Sequence, residues 1–150
     1  MLGERRNPRV RFSKVRLKTW RLRELGGNIG GRVVAEIERF GVGKRLTDFI
    51  VHGDTIHFSG YVAEEAAGKS VTEQTRDILA QIDGSLAEAG SDKSKLIEAT
   101  IWLADMATFG EMNAVWDAWV APGRPPTRAC VEARLASPQY AVEIRVLAAR

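Results

Sequence analysis

Three chemically distinct side chains crowd the last quarter of this 150-residue chain: the guanidinium of Arg128, the thiol of Cys130 and the carboxylate of Glu143. An arginine is a permanently charged planar fork that grips a carboxylate through two parallel hydrogen bonds. The arginine therefore suits a site that anchors a small carboxylate-bearing molecule. The thiol is a weaker candidate. A cysteine nucleophile needs an adjacent base, and neither His52 nor His57 lies near it in sequence.

The segments that must position these groups read as strands. Pro126-Thr127-Arg128-Ala129-Cys130-Val131-Glu132 and Val142-Glu143-Ile144 form two runs, which we expect to neighbour each other in a sheet. Alternation puts Ala129, Val131 and Ala133 on the expected core face of the first run, with Arg128, Cys130, Glu132 and Arg134 on the other. In the second run Val142, Ile144 and Val146 alternate with Glu143 and Arg145. Adjacent strands would bring Arg128, Cys130 and Glu143 within reach of one another. The plain alternative is a cross-strand ion pair between Arg128 and Glu143 at a subunit interface, with Cys130 a small buried hydrophobe.

Upstream, residues 32–39 and Thr47 to Val51 read as strands, and a tight turn over His52-Gly53-Asp54-Thr55 leads into a third strand from Thr55 to Tyr61. Ser59-Gly60 falls at the far end of that strand, where a glycine lets the backbone approach a ligand closely. Ser70-Val71-Thr72-Glu73 is a capping box, and Val71, Ile78, Leu79, Ile82 and Leu86 keep helical spacing up to a stop at Gly90. Leu96 to Leu103 reads as a strand. Thr108-Phe109-Gly110-Glu111 reads as a second capping box, opening a helix whose stripe of Phe109, Met112, Trp116 and Trp119 is accounted for by packing. The order is βββαβαββ, an α+β arrangement of one mixed sheet with two helices on one face.

The Arg128-Ala129-Cys130-Val131-Glu132 run, the Val142-Glu143-Ile144 close, Ser59-Gly60 and Asn113 in Phe109-Gly110-Glu111-Met112-Asn113 together resemble the signature of the Rid family of imine deaminases. These are the YjgF-type proteins also described as endoribonuclease L-PSP, and the likeness runs from about Arg32 to Arg150. It implies a chorismate-mutase-like fold and a homotrimer with three clefts between subunits. It implies an activity too: hydrolysis of 2-imino acids and enamines, the reactive products of amino-acid dehydratases or oxidases. Arg128 would bind the substrate carboxylate, Glu143 would hold and activate water, and Cys130 would lie near that water through its backbone carbonyl. Ser59 and Gly60 would line the opposite wall, with Asn113 close by. No cofactor is implied. The chain departs from the family at one position, where a common tyrosine ahead of the second strand is replaced near Leu46.

Composition narrows the remaining options. The net charge of +3 hides an asymmetry: residues 1–32 carry ten Lys/Arg against two acids, whereas the remaining residues carry twelve bases against seventeen acids. Residues 1–31, closed by Gly26-Gly27-Asn28-Ile29-Gly30-Gly31, read as an unstructured basic extension ahead of a domain over residues 32–150. That extension reads first as a translated leader without function; a nucleic-acid-binding arm and an organellar targeting peptide are the alternatives, the latter opposed by its single Ser13 and early Glu4. Deleting it should leave fold and assembly intact. No apolar run reaches the ~20 residues of a membrane helix, and the lone Cys130 can form no internal disulfide, which fits a reducing, cytoplasmic setting. His, Cys and carboxylate spacings suggest no metal site. Gly41-Val42-Gly43-Lys44 lacks the pattern of a phosphate loop.

Three functions compete on these residues: an imine hydrolase, a non-catalytic binder of small carboxylates acting as sensor or scaffold, and an RNA-binding or RNA-cleaving protein. Binding needs only Arg128; hydrolysis also needs the water held by Glu143. RNA would draw on the extension, because the acidic body lacks interleaved aromatic and basic residues on which bases could stack.

Overall fold

Residues 35–150 are described by the computed structural model of this chain, and they open with a three-strand meander. The expected extension over residues 1–31 and the start of the first expected strand, residues 32–34, lie outside the described residues. Strand β1 spans Ile37–Val42, β2 Thr47–His52 and β3 Thr55–Phe58. The turn between β2 and β3 is the two-residue Gly53-Asp54 link, with Gly53 at φ 61°, the left-handed conformation a tight hairpin needs. Phe40, Phe49 and Phe58 lie in register across the three strands, and their rings stack at 4.5 and 5.4 Å.

Helix α1 spans Val71–Glu88 and begins as its sequence requires. The Ser70 side chain accepts from the Glu73 N–H while the Glu73 carboxylate accepts from the Ser70 N–H. At its far end Gly90 takes φ 77°; Ser91 donates to the Leu86 carbonyl and Gly90 to that of Ala87, which satisfies the last turn. Ser70→Ala should lower stability by about 1 kcal/mol in a urea melt, through loss of the cap alone. Gln74, almost fully buried, anchors the helix to distant chain: its amide donates to the Lys69 and Gln139 carbonyls and accepts from the Ala141 N–H.

Strand β4 is the short pair Tyr61–Val62, β5 spans Leu96–Leu103, helix α2 Phe109–Trp119, β6 Thr127–Glu132 and β7 Val142–Ala149. They form one mixed sheet in the order β1-β2-β3-β7-β5-β6, with β4 also paired to β7. Only the β5–β6 pair is parallel. Both helices cover one face, where Ile56, Ile78, Ile82, Ile101, Leu103, Met112, Val142 and Ile144 are fully buried.

Four expectations are corrected. β6 and β7 are not neighbours, because β5 runs between them and pairs with both. The faces of β6 are also exchanged: Cys130 packs against the core, and Val131 is 45% exposed on the helix-free side. The third strand does not run unbroken to Tyr61. It breaks at Ser59-Gly60, which makes seven strands where six were expected. Finally, the second capping box does not form. The Thr108 hydroxyl donates to the Asp105 carbonyl instead, and Asp105 caps the short 3₁₀ turn ahead of α2.

Candidate functional site

The break at Ser59-Gly60 is a β-bulge. His57 lies opposite Leu147 and Tyr61 opposite Ile144, so three residues of the β3–β4 side face two of β7. One residue is therefore extra, and the strand is re-aimed at that point. The Ser59 hydroxyl donates to the Thr47 carbonyl at 2.7 Å and its N–H to the Asp48 carbonyl at 2.9 Å, tying the bulge to β2. Leu46 is adjacent to Thr47 and 60% exposed.

Gly60 has a steric reason to be glycine. A Cβ there would run into the carboxylate of Glu143, which lies against the bulge. Glu143 stands on β7 opposite Val62 on one side and Trp102 on the other. Partial burial pushes its carboxyl above the usual carboxylate range, and no charged group among the described residues offsets it. Ser59, Gly60 and Glu143 thus form one cluster, with Leu46 at its margin.

Arg128 belongs to a second cluster. It lies opposite Ala99 of β5, which in turn lies opposite Val146 of β7, and both of those side chains are buried on the helix-covered face. Its guanidinium carbon sits 5.3 Å from the centroid of Trp116 and 5.9 Å from that of Phe109, both on α2. No carboxylate among the described residues pairs with it. Asn113 falls between Phe109 and Trp116 on the same side of α2, at i+4 from one and i−3 from the other. Its Oδ1 is buried and has no hydrogen-bond partner among the described residues. Cys130, two residues on from Arg128, has its thiol pushed up by burial, an effect Arg128 only partly offsets. It is held as a thiol, which speaks against a nucleophile.

The two clusters do not meet in one chain. Ile144 is buried on the helix-covered face, so its neighbour Glu143 points to the helix-free face, away from the side to which Arg128 points. Within a protomer the arginine and the carboxylate do not come within reach of each other, contrary to the expectation from adjacent strands. Further concavities lie elsewhere among the described residues, one of about 620 Å³ beside Glu132, Arg134 and Tyr140. A groove of about 560 Å³ runs between α1 and α2 past Leu79, Val115 and Trp119, and a hollow of about 140 Å³ lies beside His57, Glu98 and Arg145. None of these contains Arg128 or Glu143.

What sequence reading assigned to packing alone is the aromatic surround of Arg128. Phe109 and Trp116 were legible as an apolar stripe; their contact with a cation on a strand distant in sequence was not. No helix among the described residues is long and apolar enough to cross a membrane.

Comparison with known proteins gives a uniform result. The family model described as endoribonuclease L-PSP matches residues 37–150. A RutC family protein of Haemophilus ducreyi is 42% identical over 113 residues, covering 75% of this chain and 96% of that one. The RutC family protein YoaB of Escherichia coli is also 42% identical over 113 residues, covering 75% of this chain and 97% of its own. Among solved structures, a YjgF family protein of Neisseria meningitidis superimposes with a TM-score of 0.75 at 49% identity, covering 77% of this chain and 96% of that one.

Proposed function

The chain belongs to the endoribonuclease L-PSP family, the YjgF, RutC or Rid proteins, and on that premise we propose that it hydrolyses 2-imino acids and their enamine tautomers to 2-oxo acids and ammonia. In this reading it works in the cytoplasm as a homotrimer and clears the products of amino-acid dehydratases or oxidases. The domain is residues 32–150, to which residues 1–31 are an appendage.

The observation that carries the reading is the division of the site into two halves, each chemically incomplete. Among the described residues Arg128 pairs with no carboxylate, and the half-buried carboxylate of Glu143 pairs with no cation. Each lacks what the other half supplies, and they point to opposite faces of one sheet. A second copy setting its Arg128 face beside the bulge of the first would complete the site. The cleft between subunits implied by the family resemblance has this form.

Arg128 then takes the substrate carboxylate in its fork, where each charge-assisted bond contributes about 1.5–3 kcal/mol. Asn113 offers its unpartnered Oδ1 to the iminium N–H, which relieves a buried acceptor. Glu143 holds a water against the backbone of Gly60 and takes its proton as the oxygen attacks the imine carbon. Glu143 passes that proton to the carbinolamine nitrogen; as the C–N bond breaks the hydroxyl gives its proton back to Glu143, ammonia leaves and the 2-oxo acid remains. Raised proton affinity suits a carboxylate that must accept a proton from water and pass it on. Burial keeps Cys130 protonated and out of the covalent chemistry.

A second reading, a binder of small carboxylates, is favoured by Leu46, which offers no hydroxyl where the family commonly carries a tyrosine. One assay separates the two. An amino-acid oxidase generates 2-iminobutanoate in situ, semicarbazide traps the unhydrolysed imine, and the protein should reduce trapping in proportion to its concentration. Undiminished trapping at micromolar protein, with 2-oxobutanoate still bound in calorimetry, would leave only the binder. Cleavage of single-stranded RNA by residues 32–150 alone would overturn both.

A further inference from the structure

An exposed arginine on an edge strand ordinarily samples many rotamers, and ordering it costs up to about 2 kcal/mol of side-chain entropy. Arg128 is placed differently. Two rings flank its guanidinium, at 5.3 and 5.9 Å, within the range at which a cation is drawn to an aromatic face. The two rings come from residues seven apart, two helical turns along one side of α2.

The larger ring is itself fixed. Trp116 is only 4% exposed and packs at 5.3 Å against Trp119, whose indole N–H donates to the Asp83 carboxylate of α1 at 2.9 Å. Lys93 lies 5.5 Å over the opposite end of this aromatic pair. The chain of contacts runs from the body of the protein to the guanidinium without a flexible link. A carboxylate in place of these rings would also order the arginine, but it would occupy the N–H donors and neutralise the charge. Rings leave the donors free.

We infer that Trp116 and Phe109 are positioning residues, an aromatic seat that holds Arg128 ordered yet unneutralised so that its fork is ready for the carboxylate of an incoming ligand. The inference rests on the reading of Arg128 as a carboxylate anchor and adds how that anchor is kept competent. Both residues act through Arg128.

The test compares Phe109→Leu, Trp116→Leu and Trp116→Tyr, reading KM and kcat for 2-iminobutanoate together with the Kd of 2-oxobutanoate by calorimetry. Both leucine variants should raise KM and Kd about three- to thirtyfold, with kcat changed far less. Trp116→Tyr, which keeps a ring, should stay within about threefold of the parent. Phe109 is 37% exposed, so its leucine variant keeps the test decisive if Trp116→Leu fails to fold. Unchanged KM and Kd in Phe109→Leu, or a fall in kcat alone, would overturn the seat. A parent protein that turns over no imine, but whose Kd for 2-oxobutanoate shifts as stated, would end the hydrolase reading and leave the seat standing. A parent that neither turns over imine nor binds 2-oxobutanoate would end both.

Discussion

Arg128→Ala is expected to abolish measurable imine hydrolysis while the protein stays folded and assembled. Two charge-assisted bonds at about 1.5–3 kcal/mol each correspond to a loss of roughly 10²–10⁴ in kcat/KM, before any effect of misorienting the imine carbon. The cost to folding should be small, because Arg128 is exposed on the edge strand β6 and makes no ion pair among the described residues. Arg128→Lys should recover little, since an ammonium cannot reproduce the planar fork. Rate, melting temperature and assembly mass measured on the same preparations decide the matter. Normal turnover in Arg128→Ala would end the hydrolase reading as drawn. A fall in melting temperature matched by a proportional fall in rate would return Arg128 to a structural role.

The parts of this molecule that sequence made legible are those whose physics is local. The capping box at Ser70 and the glycine stop at Gly90 close around α1 with bonds spanning at most five residues, and both formed as expected. The hairpin at Gly53-Asp54 is local as well. The order of strands is not. That β5 inserts between β6 and β7 depends on pairings from Leu96 to Ala148 and from Glu98 to Thr127, and no local pattern in either strand encodes them.

The faces of β6 failed for a related reason. Alternation separates Ala129 and Val131 from Arg128 and Cys130, but it cannot say which set a distant helix will cover. Hydrophobicity favoured the first set. The side chains of α2 favoured the second, because Trp116 and Phe109 give Arg128 an aromatic surface at the edge of the core. The apolar Val131 is left exposed on the helix-free side. At Thr108 the competition was between two hydrogen bonds of similar worth, and the Asp105 carbonyl won the hydroxyl. The candidate site was legible as a list of residues and illegible as an arrangement. One chain distributes Arg128 and Glu143 over the two faces of the sheet.

Glu143→Gln is expected to lower the rate by about 10²–10⁴ while leaving the affinity for 2-oxobutanoate within about threefold, because it removes the base and keeps the shape. Its effect on stability should have the opposite sign. Burial raises the carboxyl pKa in the folded state, so the native protein holds this proton more tightly than the unfolded chain does. The stability tied to that proton is present below the unfolded pKa and is lost as pH rises through the folded one. At neutral pH the parent therefore carries an ionised, half-buried carboxylate at a cost that glutamine avoids, and the variant should melt higher. In mild acid, where both side chains are neutral, the difference should vanish. The parent's kcat should also fall as pH drops through the raised pKa, since only the ionised form takes a proton from water. A variant that melts below the parent at neutral pH, with activity lost in step, would make Glu143 a structural residue and remove the catalytic base from the mechanism.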